Sequence, residues 1–212
     1  MKLACIQPSY IPWKGYFHLI HDADCFVFYD DAHYSKGSWR NRNQIIINGS
    51  LKWLNIPVSK EAWHLPINQV TVAKPSAVEH WRLLTEAYRK SEYFPSFQKI
   101  VEKIICYDES NLSHLTVFQT LELCKILTIK TPTFLMSELK INSVKRTDKL
   151  IVMCKNLGAT EYISGPSAMG YIEEEKFIDA GIKLTYFEYN YPEYPQQSKN
   201  FTHYVSILDM IF

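Results

Sequence analysis

Residues 33–45, HYSKGSWRNRNQI, bring cations, aromatic rings and amides together in one short segment. Arginine forks suit phosphate or carboxylate groups, and large aromatic rings can stack on a base or a sugar. A segment built only for a core would not need this combination, so we predict a ligand-binding site. The alternative is a surface loop in which aspartates neutralise the arginines. The predicted binding residues of this segment are Tyr34, Lys36, Trp39, Arg40, Asn41 and Arg42.

A histidine and two carboxylates stand at the start of the same region. Asp30 and Asp31 end the apolar run CFVFYD, and His33 follows them. Carboxylates beside a histidine can tune it into a general base near neutral pH. We therefore predict that His33, Asp31 and Asp30 are the catalytic residues.

Two further polar segments, QPSYIPWKGY and SGPSAMGY, also follow runs that are typical of strands, where α/β proteins place their ligand sites. Lys14 would add charge to a helix N-terminus, whose free backbone N–H groups favour anions. Glycines in the second segment would let the backbone approach an anion. Either segment could instead be a plain turn. The predicted binding residues here are Gln7, Ser9, Tyr10, Lys14, Ser164 and Gly165.

Several well-known motifs are missing from the sequence. It has no G-x-G-x-x-G and no P-loop, so neither dinucleotide nor ATP binding follows by motif, and the cofactor is unknown. SGPSAMG is not the G-x-S-x-G nucleophile elbow. No His/Cys cluster has zinc spacing, so no metal is expected. The cysteines predict reduced, buried thiols, because they lie in apolar runs without a C-x-x-C pair: Cys5, Cys25, Cys106, Cys124 and Cys154.

The elements that must position these residues are those of an α/β fold. KLACI (2–6) and CFVFYD (25–30) are apolar runs that predict buried strands, and the segment WKGYFHLIHDA between them has helical periodicity. The order strand, helix, strand indicates a β-α-β unit and a parallel sheet. We therefore predict a mostly parallel sheet with flanking helices.

A β-hairpin is predicted after strand two, because Asn48-Gly49 separates two apolar runs. It would pair residues 43–47 with residues 51–57. The side-chain alternation of a strand then fixes the faces if the pairing extends backwards. Trp39, Asn41 and Asn43 would face one way, and Arg40, Arg42 and Gln44 the other.

A helical block is predicted at about residues 76–128, inserted between two parts of the sheet. We leave open whether it is a lid, the dimer face of a homo-oligomer or part of the core. Strand, helix and strand patterns resume at TPTFLMS (131–137), RTDKLIVMCKNLG (146–158) and TEYIS. KLTYFEYNY predicts a last strand, and the apolar tail FTHYVSILDMIF should dock on the body. A single α/β domain over residues 1–212 is the simplest organisation.

Composition limits the classes of partner. The chain has 212 residues, 47% apolar and 21% charged, and a net charge of +1. This near-zero charge gives no global field for nucleic acid or a membrane surface. No apolar run reaches about 18 residues, and the N-terminus lacks a signal-peptide pattern. We therefore expect a soluble, cytoplasmic protein without membrane insertion.

The segments IQPSYIPWKGYFHLI and FVFYDDAHYSKGSWRNRNQI, followed by an Asn-Gly hairpin that ends in W-L-x-I-P-V, resemble the WbqC-like family. The later RTDKLIVMCKNLGATEYISGPSAMGYI, KFIDAGIKL, EYNYPEYPQ and SILDMIF are similar to it as well, in the same order. Members of this family are typically encoded in bacterial O-antigen and other surface-polysaccharide gene clusters. The resemblance implies transfer of glycine or another acyl group onto an amino sugar, and it carries no mechanism over to a residue.

Three hypotheses follow. The first is a transferase that N-acylates or glycylates a nucleotide-linked amino sugar, with an activated acyl donor such as a thioester made elsewhere. Arg40, Arg42 and Lys14 would hold the pyrophosphate, and Trp39 or Tyr34 would stack on the base. The second is a non-catalytic module that binds a nucleotide, a sugar or a partner enzyme of the pathway. The third is RNA binding, against which the net charge and the lack of a second basic patch count.

Overall fold

The apolar runs of the sequence form the strands of a sheet in a computed structural model, which describes residues 1–141 and 146–212. The strands are β1 (Lys2–Ile6), β2 (Cys25–Phe28), β3 (Arg42–Ile47), β4 (Ser50–Asn55), β5 (Thr133–Leu135), β6 (Glu161–Ser164) and β7 (Lys183–Tyr186). The helices are α1 (Lys14–Asp22), α2 (Ala77–Tyr88), α3 (Phe94–Ile105), α4 (Leu112–Ile126), α5 (Arg146–Asn156), α6 (Glu174–Asp179) and α7 (Leu208–Ile211).

Five strands form one parallel sheet in the order β5-β2-β1-β6-β7. The first strand of the chain is central. The chain leaves it for β2 and β5 on one side, and then returns to build β6 and β7 on the other. The predicted α/β fold, a mostly parallel sheet with flanking helices, is confirmed.

The described chain divides into two compact units. The sheet unit comprises residues 1–7, 18–31 and 129–190, and the helical unit comprises residues 8–17, 32–128 and 191–212. Each unit is a group of residues that contact one another more than they contact the rest of the chain. Two compact units of this kind can belong to one folding domain. The single domain over residues 1–212 therefore stays a prediction.

One face of the sheet unit is packed by α5 and α6. Leu3 of β1 and Val27 of β2 join the buried cluster that holds Leu150 and Cys154 of α5. Phe177 of α6 is fully buried and stacks on Tyr162 of β6, with ring centroids 5.4 Å apart. The helical periodicity of residues 146–158 predicts an apolar face of Leu150, Ile151, Cys154 and Leu157. The first three are buried, and Leu157 is partly buried against the same cluster.

The helical unit contains a β-hairpin and three consecutive helices. β3 and β4 pair antiparallel, and Asn48 and Gly49 join them with φ of 51° and 75°. The pairing starts at Arg42 and does not extend back to Trp39. The helices α2, α3 and α4 occupy the predicted block, and in the sequence they lie between β2 and β5.

The C-terminal tail docks on the helical unit, as predicted. The backbone N–H of Ser206 donates to the carbonyl of Gln44 at 2.9 Å, and that of Ile207 donates to Pro12 at 2.8 Å. Leu208 and Phe212 are buried. In the described residues no helix is long and apolar enough to cross a membrane.

All five cysteines are free, but one of them is not buried. Cys5, Cys25, Cys124 and Cys154 are buried as predicted, whereas Cys106 is exposed. The reason is its position, because Cys106 caps the C-terminus of α3 and lies beyond the last packed turn.

The hairpin turn gives a stability test. Replacing Gly49 by valine should lower the free energy of unfolding by about 1–2 kcal/mol, because a β-branched residue is strained at positive φ. Urea unfolding measures the loss, with Asn48→Gly as the matched control that relieves strain at the neighbouring position. Equal stability of Gly49→Val and the native protein would contradict the strained turn.

Candidate functional site

The carboxyl ends of β1 and β6 meet where the strand order reverses. Residues of the two strands pair in register from Lys2 with Glu161 to Ala4 with Ile163. Gln7 follows β1, and Ser164 is the last residue of β6. In open parallel sheets ligands bind in the crevice outside such a switch point. Two of the predicted binding residues therefore lie where this topology places a ligand site.

Gly165 gives this edge an open space. A Cβ atom built on Gly165 would have the Tyr189 hydroxyl as its nearest neighbour, at 3.9 Å. Its φ of −70° and ψ of 153° are ordinary extended values, so conformation does not require glycine there. The absence of a side chain therefore leaves room, which a ligand could use. Ser164 is buried.

His18 and two aromatic residues stand at the end of β7. The exposed ring of His18 meets the edge of Phe187 at 4.8 Å, and Phe187 lies 5.1 Å from Tyr189. Burial raises the pKa of the Tyr189 phenol, which therefore stays protonated at neutral pH. These residues add a titratable ring and a hydroxyl donor to the polar edge.

Asp31, Lys149 and Tyr29 form a second group in the sheet unit. Asp31 pairs with Lys149, whose side chain is 11% exposed, and the other carboxylate oxygen of Asp31 is buried without a partner among the described residues. The ammonium of Lys149 lies 5.1 Å from the centroid of the Tyr29 ring. Burial, followed by nearby Cys5 and Asp31, raises the pKa of Tyr29 to about 12.

The unpartnered oxygen makes Asp31 the carboxylate of this group that can accept a proton or a hydrogen bond from a ligand. A buried polar atom without a partner costs free energy, so its presence needs an explanation, and a catalytic role is one. Asp30 differs from Asp31, because both of its oxygens are engaged. It accepts hydrogen bonds from the Ser137 amide at 3.0 Å and the Ser137 hydroxyl at 2.6 Å. Asp30 therefore stabilises the turn that follows β5.

The arginine segment folds within the helical unit. Arg42 donates to the carbonyl of Gly37, and its guanidinium carbon lies 4.2 Å from the centroid of the Trp53 ring. Arg42 therefore has a backbone acceptor and an aromatic face, while its buried Nε has no partner among the described residues. Arg40 precedes β3, and part of its side chain is buried.

Trp39 stacks on Trp53 rather than entering the strand. The two rings are tilted by 36° with centroids 5.4 Å apart, and they stay 42% and 39% exposed. Asn41 and Asn43 are buried, but Trp39 does not share their face as the alternation predicted, because it lies in the turn before β3. An exposed ring pair beside a guanidinium can stack on a flat ligand.

Asn41 and Asn43 serve the fold of the helical unit. Asn41 donates to the Ile56 carbonyl at 2.7 Å, and Asn43 donates to the carbonyls of Tyr10 and Ile11 at 3.1 and 2.8 Å. Tyr10 is buried, and its hydroxyl lies 2.6 Å from Nδ1 of His80. The amide N–H groups of Asn41 and Asn43 and the Tyr10 hydroxyl thus have partners inside the unit, whereas Oδ1 of Asn41 is buried without a partner among the described residues.

Of the remaining predicted residues, two are buried and two are exposed. Ser9 and Tyr34 are buried. His33 and Lys36 are exposed, and the backbone of His33 bridges to Pro66. Within the described residues no contact fixes the His33 ring.

Lys14 lies in an aromatic cage of the helical unit. Its ammonium is 5.0, 4.5 and 5.5 Å from the ring centroids of Tyr191, Tyr194 and Phe201. The residue is only 8% exposed. Burial lowers the pKa of Lys14, and the nearby Asp209 carboxylate opposes this effect.

Three donors occupy the carboxylate of Asp209. The Tyr88 hydroxyl donates at 3.0 Å, and the Tyr194 hydroxyl and the Gln196 amide donate at 2.8 Å each. Neutral donors thus stabilise Asp209, and it shares Tyr194 with the cage. Tyr194 and Gln196 of the EYNYPEYPQ segment belong to this network.

Sequence reasoning missed most of the partners that give these residues their surroundings. The sequence predicts Lys149 only as part of a helix. A helix that connects two parallel strands begins at the carboxyl edge of the sheet, and this rule could have indicated that Lys149 lies near that edge. The aromatic cage of Lys14 and the Trp39–Trp53 ring pair have no local signal, since their members come from distant segments. The missed residues are His18, Trp53, Lys149, Tyr189, Tyr191, Tyr194, Phe201 and Asp209.

The ion pair of Asp31 and Lys149 can be measured. Asp31→Asn and Lys149→Met should each lower the free energy of unfolding by about 2 kcal/mol, because each leaves a partly buried charge without its partner. The double variant should lose less than the two losses combined, and a double-mutant cycle in urea tests this. Strict additivity would mean that the pair contributes nothing.

His80 predicts a pH dependence of stability. Burial lowers its pKa from 6.5 to about 4 in the folded protein, although the ring also hydrogen-bonds to the Asn55 backbone. Between pH 6.5 and pH 4 the unfolded chain therefore binds this proton more readily than the folded protein. Stability contributed by neutral His80 should fall by about 3 kcal/mol as the pH falls across that window.

A matched variant isolates this effect from the other titrating groups. The stability difference between the native protein and His80→Gln should shrink from pH 7 to pH 4 by that amount. A difference that stays constant with pH would contradict a buried neutral histidine.

Comparison with known proteins agrees with the resemblance seen in the sequence. Residues 7–212 match the model of the WbqC-like protein family, which is nearly the whole chain. A relative in Mycobacterium tuberculosis, Uncharacterized protein Rv1507c, is 36% identical over 215 residues, covering 100% of this chain and 93% of the relative. No solved structure matches the chain. The chain belongs to the WbqC-like protein family.

Proposed function

We propose that the protein is a transferase of bacterial surface-polysaccharide (O-antigen) biosynthesis that N-acylates or glycylates a nucleotide-linked amino sugar. One observation carries this proposal, namely the polar residues at the switch point of the parallel sheet. The order β5-β2-β1-β6-β7 reverses at β1 and β6, where Gln7 and Gly165 stand. Nucleotides bind at such points in open α/β sheets.

The nucleotide sugar would lie along the carboxyl edge of the sheet unit. Gln7 offers amide donors and acceptors, and Tyr189 offers its hydroxyl beside the space left by Gly165. The aromatic rings of Phe187 and Tyr189 supply a flat apolar surface for a base or sugar. This assignment replaces the pyrophosphate role of Arg40 and Arg42, because Arg42 already has Gly37 and Trp53 as partners.

Asp31 is the proposed general base. The amine of the sugar attacks the carbonyl carbon of a thioester donor, so a C–N bond forms and the C–S bond breaks. The proton lost by the amine passes to Asp31 and then to the leaving thiolate. Lys149 orients the carboxylate through the ion pair, and its charge can stabilise the oxyanion that develops during attack.

Family membership supports the pathway, since the resemblance implies surface-polysaccharide gene clusters and acyl transfer to an amino sugar. A cytoplasmic location and an activated acyl donor are parts of the same proposal. His33 remains the alternative base that the sequence favours.

A non-catalytic module of the same pathway is the second candidate. The observation that favours it is the engagement of both predicted carboxylates, Asp30 by Ser137 and Asp31 by Lys149. Such a module would bind the nucleotide sugar or a partner enzyme without turnover. It would use the same residues of the switch point.

Thermal unfolding against a ligand panel tests the binding step. The panel holds UDP, dTDP, GDP and CMP, their amino-sugar conjugates, coenzyme A thioesters and glycine. A ligand at about a hundred times its dissociation constant should stabilise the fold by roughly 2.7 kcal/mol. The shift should vanish in Gly165→Val, which fills the open space without backbone strain, and persist in the matched control Gly170→Val.

Two further variants separate the candidates. Asp31→Asn should keep nucleotide-sugar binding and lose amide formation, measured by mass spectrometry of the sugar product. Normal turnover in Asp31→Asn would exclude Asp31 as the base, and binding without any turnover in the native protein would favour the module. Loss of binding in the double variant Arg40→Ala, Arg42→Ala would instead return the nucleotide to the arginine segment.

A further inference from the structure

We infer that Lys14 and His203 form an anion-binding site in the helical unit, which takes the carboxylate or phosphate group of a small molecule. The site lies outside the residues of the proposed nucleotide-sugar site. It does not depend on the proposed function. Two polar groups of this unit share aromatic neighbours.

The first group is the ammonium of Lys14. It faces three aromatic rings at 4.5 to 5.5 Å. Among the described residues the structure gives it no hydrogen bond and no ion pair. An ammonium has three N–H donors, and aromatic faces compensate its charge without satisfying those donors. The N–H donors of Lys14 therefore have no acceptor among the described residues.

Asp209 does not supply these acceptors. Its carboxylate is close enough to raise the pKa of Lys14, yet Tyr88, Tyr194 and Gln196 already donate to its oxygens. Burial has the larger effect and lowers the pKa of Lys14. The charge is therefore desolvated more than it is compensated, and an incoming oxyanion would restore the balance.

The second group is the ring of His203. It meets the edge of Phe201 at 4.5 Å and lies 6.3 Å from Tyr191, so it borders the same cage. Its Nδ1 atom is buried and has no hydrogen-bond partner among the described residues. Burial and the charge of Lys14 lower the pKa of His203, and Glu193 opposes them. A neutral imidazole can carry its proton on Nδ1 and donate to a ligand.

The chemistry of the ligand follows from the donors and walls. The ammonium of Lys14 and the Nδ1 atom of His203 supply two kinds of N–H donor, which suit an oxyanion, and charge-assisted hydrogen bonds to an ammonium are the strong ones. Aromatic rings on three sides favour a group small enough to fit between them or one attached to a flat apolar body. Carboxylate and phosphate groups share this chemistry.

The test uses the full chain labelled with ¹³C-lysine and unlabelled inorganic phosphate and acetate, at constant ionic strength. NMR follows the pKa of the Lys14 amine with and without each anion. Binding should raise this pKa, because the anion stabilises the charged amine. A rise with phosphate alone identifies a phosphate group, and a rise with acetate alone identifies a carboxylate. An unchanged pKa with both anions would overturn the inference.

Variants supply the second readout. Lys14→Met should weaken anion binding at least about tenfold in calorimetry, since it removes a charged donor. Lys90→Met removes the same charge from an exposed position of the helical unit and should bind as the native protein does. Lys14→Arg keeps the charge and should retain binding. Equal binding by Lys14→Met and the native protein would overturn the site, and the NMR measurement decides if Lys14→Met does not fold.

Discussion

The sheet unit depends on the pairing of one strand with two neighbours. β1 hydrogen-bonds to β2 on one side and to β6 on the other, and its three central residues are buried. Because β1 occupies the centre, the chain must reverse direction across the sheet to add the later strands. In open parallel sheets such a reversal, here between β1 and β6, is the position at which ligands bind. Packing and topology therefore define the candidate site together.

Charged residues that stabilise the fold differ from those assigned to a ligand in how fully neighbouring groups compensate their charge. Asp30 and Asp209 each receive donors on both sides of the carboxylate, so they hold the fold. Asp31 and Lys14 are partly compensated, by an ion pair in one case and by aromatic rings in the other. Incomplete compensation inside a folded unit costs free energy. This cost is the physical reason for assigning function to these two residues.

Local patterns in the sequence predicted the parts of the fold that local physics controls. The apolar runs formed buried strands, and the pattern of residues 146–158 formed α5, because periodicity reports burial directly. The site was harder, since Asp31 acquires Lys149 and Lys14 acquires Tyr191 only through tertiary structure. Arg42 shows the same limit, because its side chain contacts Gly37 of its own segment and Trp53 of the neighbouring strand β4.

The parallel pairing of β1 with β6 also shapes how the chain folds. Lys2 pairs with Glu161, so the central strand must wait for a partner near the other end of the sequence. The entropy of closing a loop grows with the logarithm of its length, and folding slows as contacting residues become more distant. Most of the helical unit, residues 8–17 and 32–128, lies inside this loop in the sequence. Early folding of these residues would shorten the loop that must close between β1 and β6. An insertion between two strands can therefore speed the completion of their sheet.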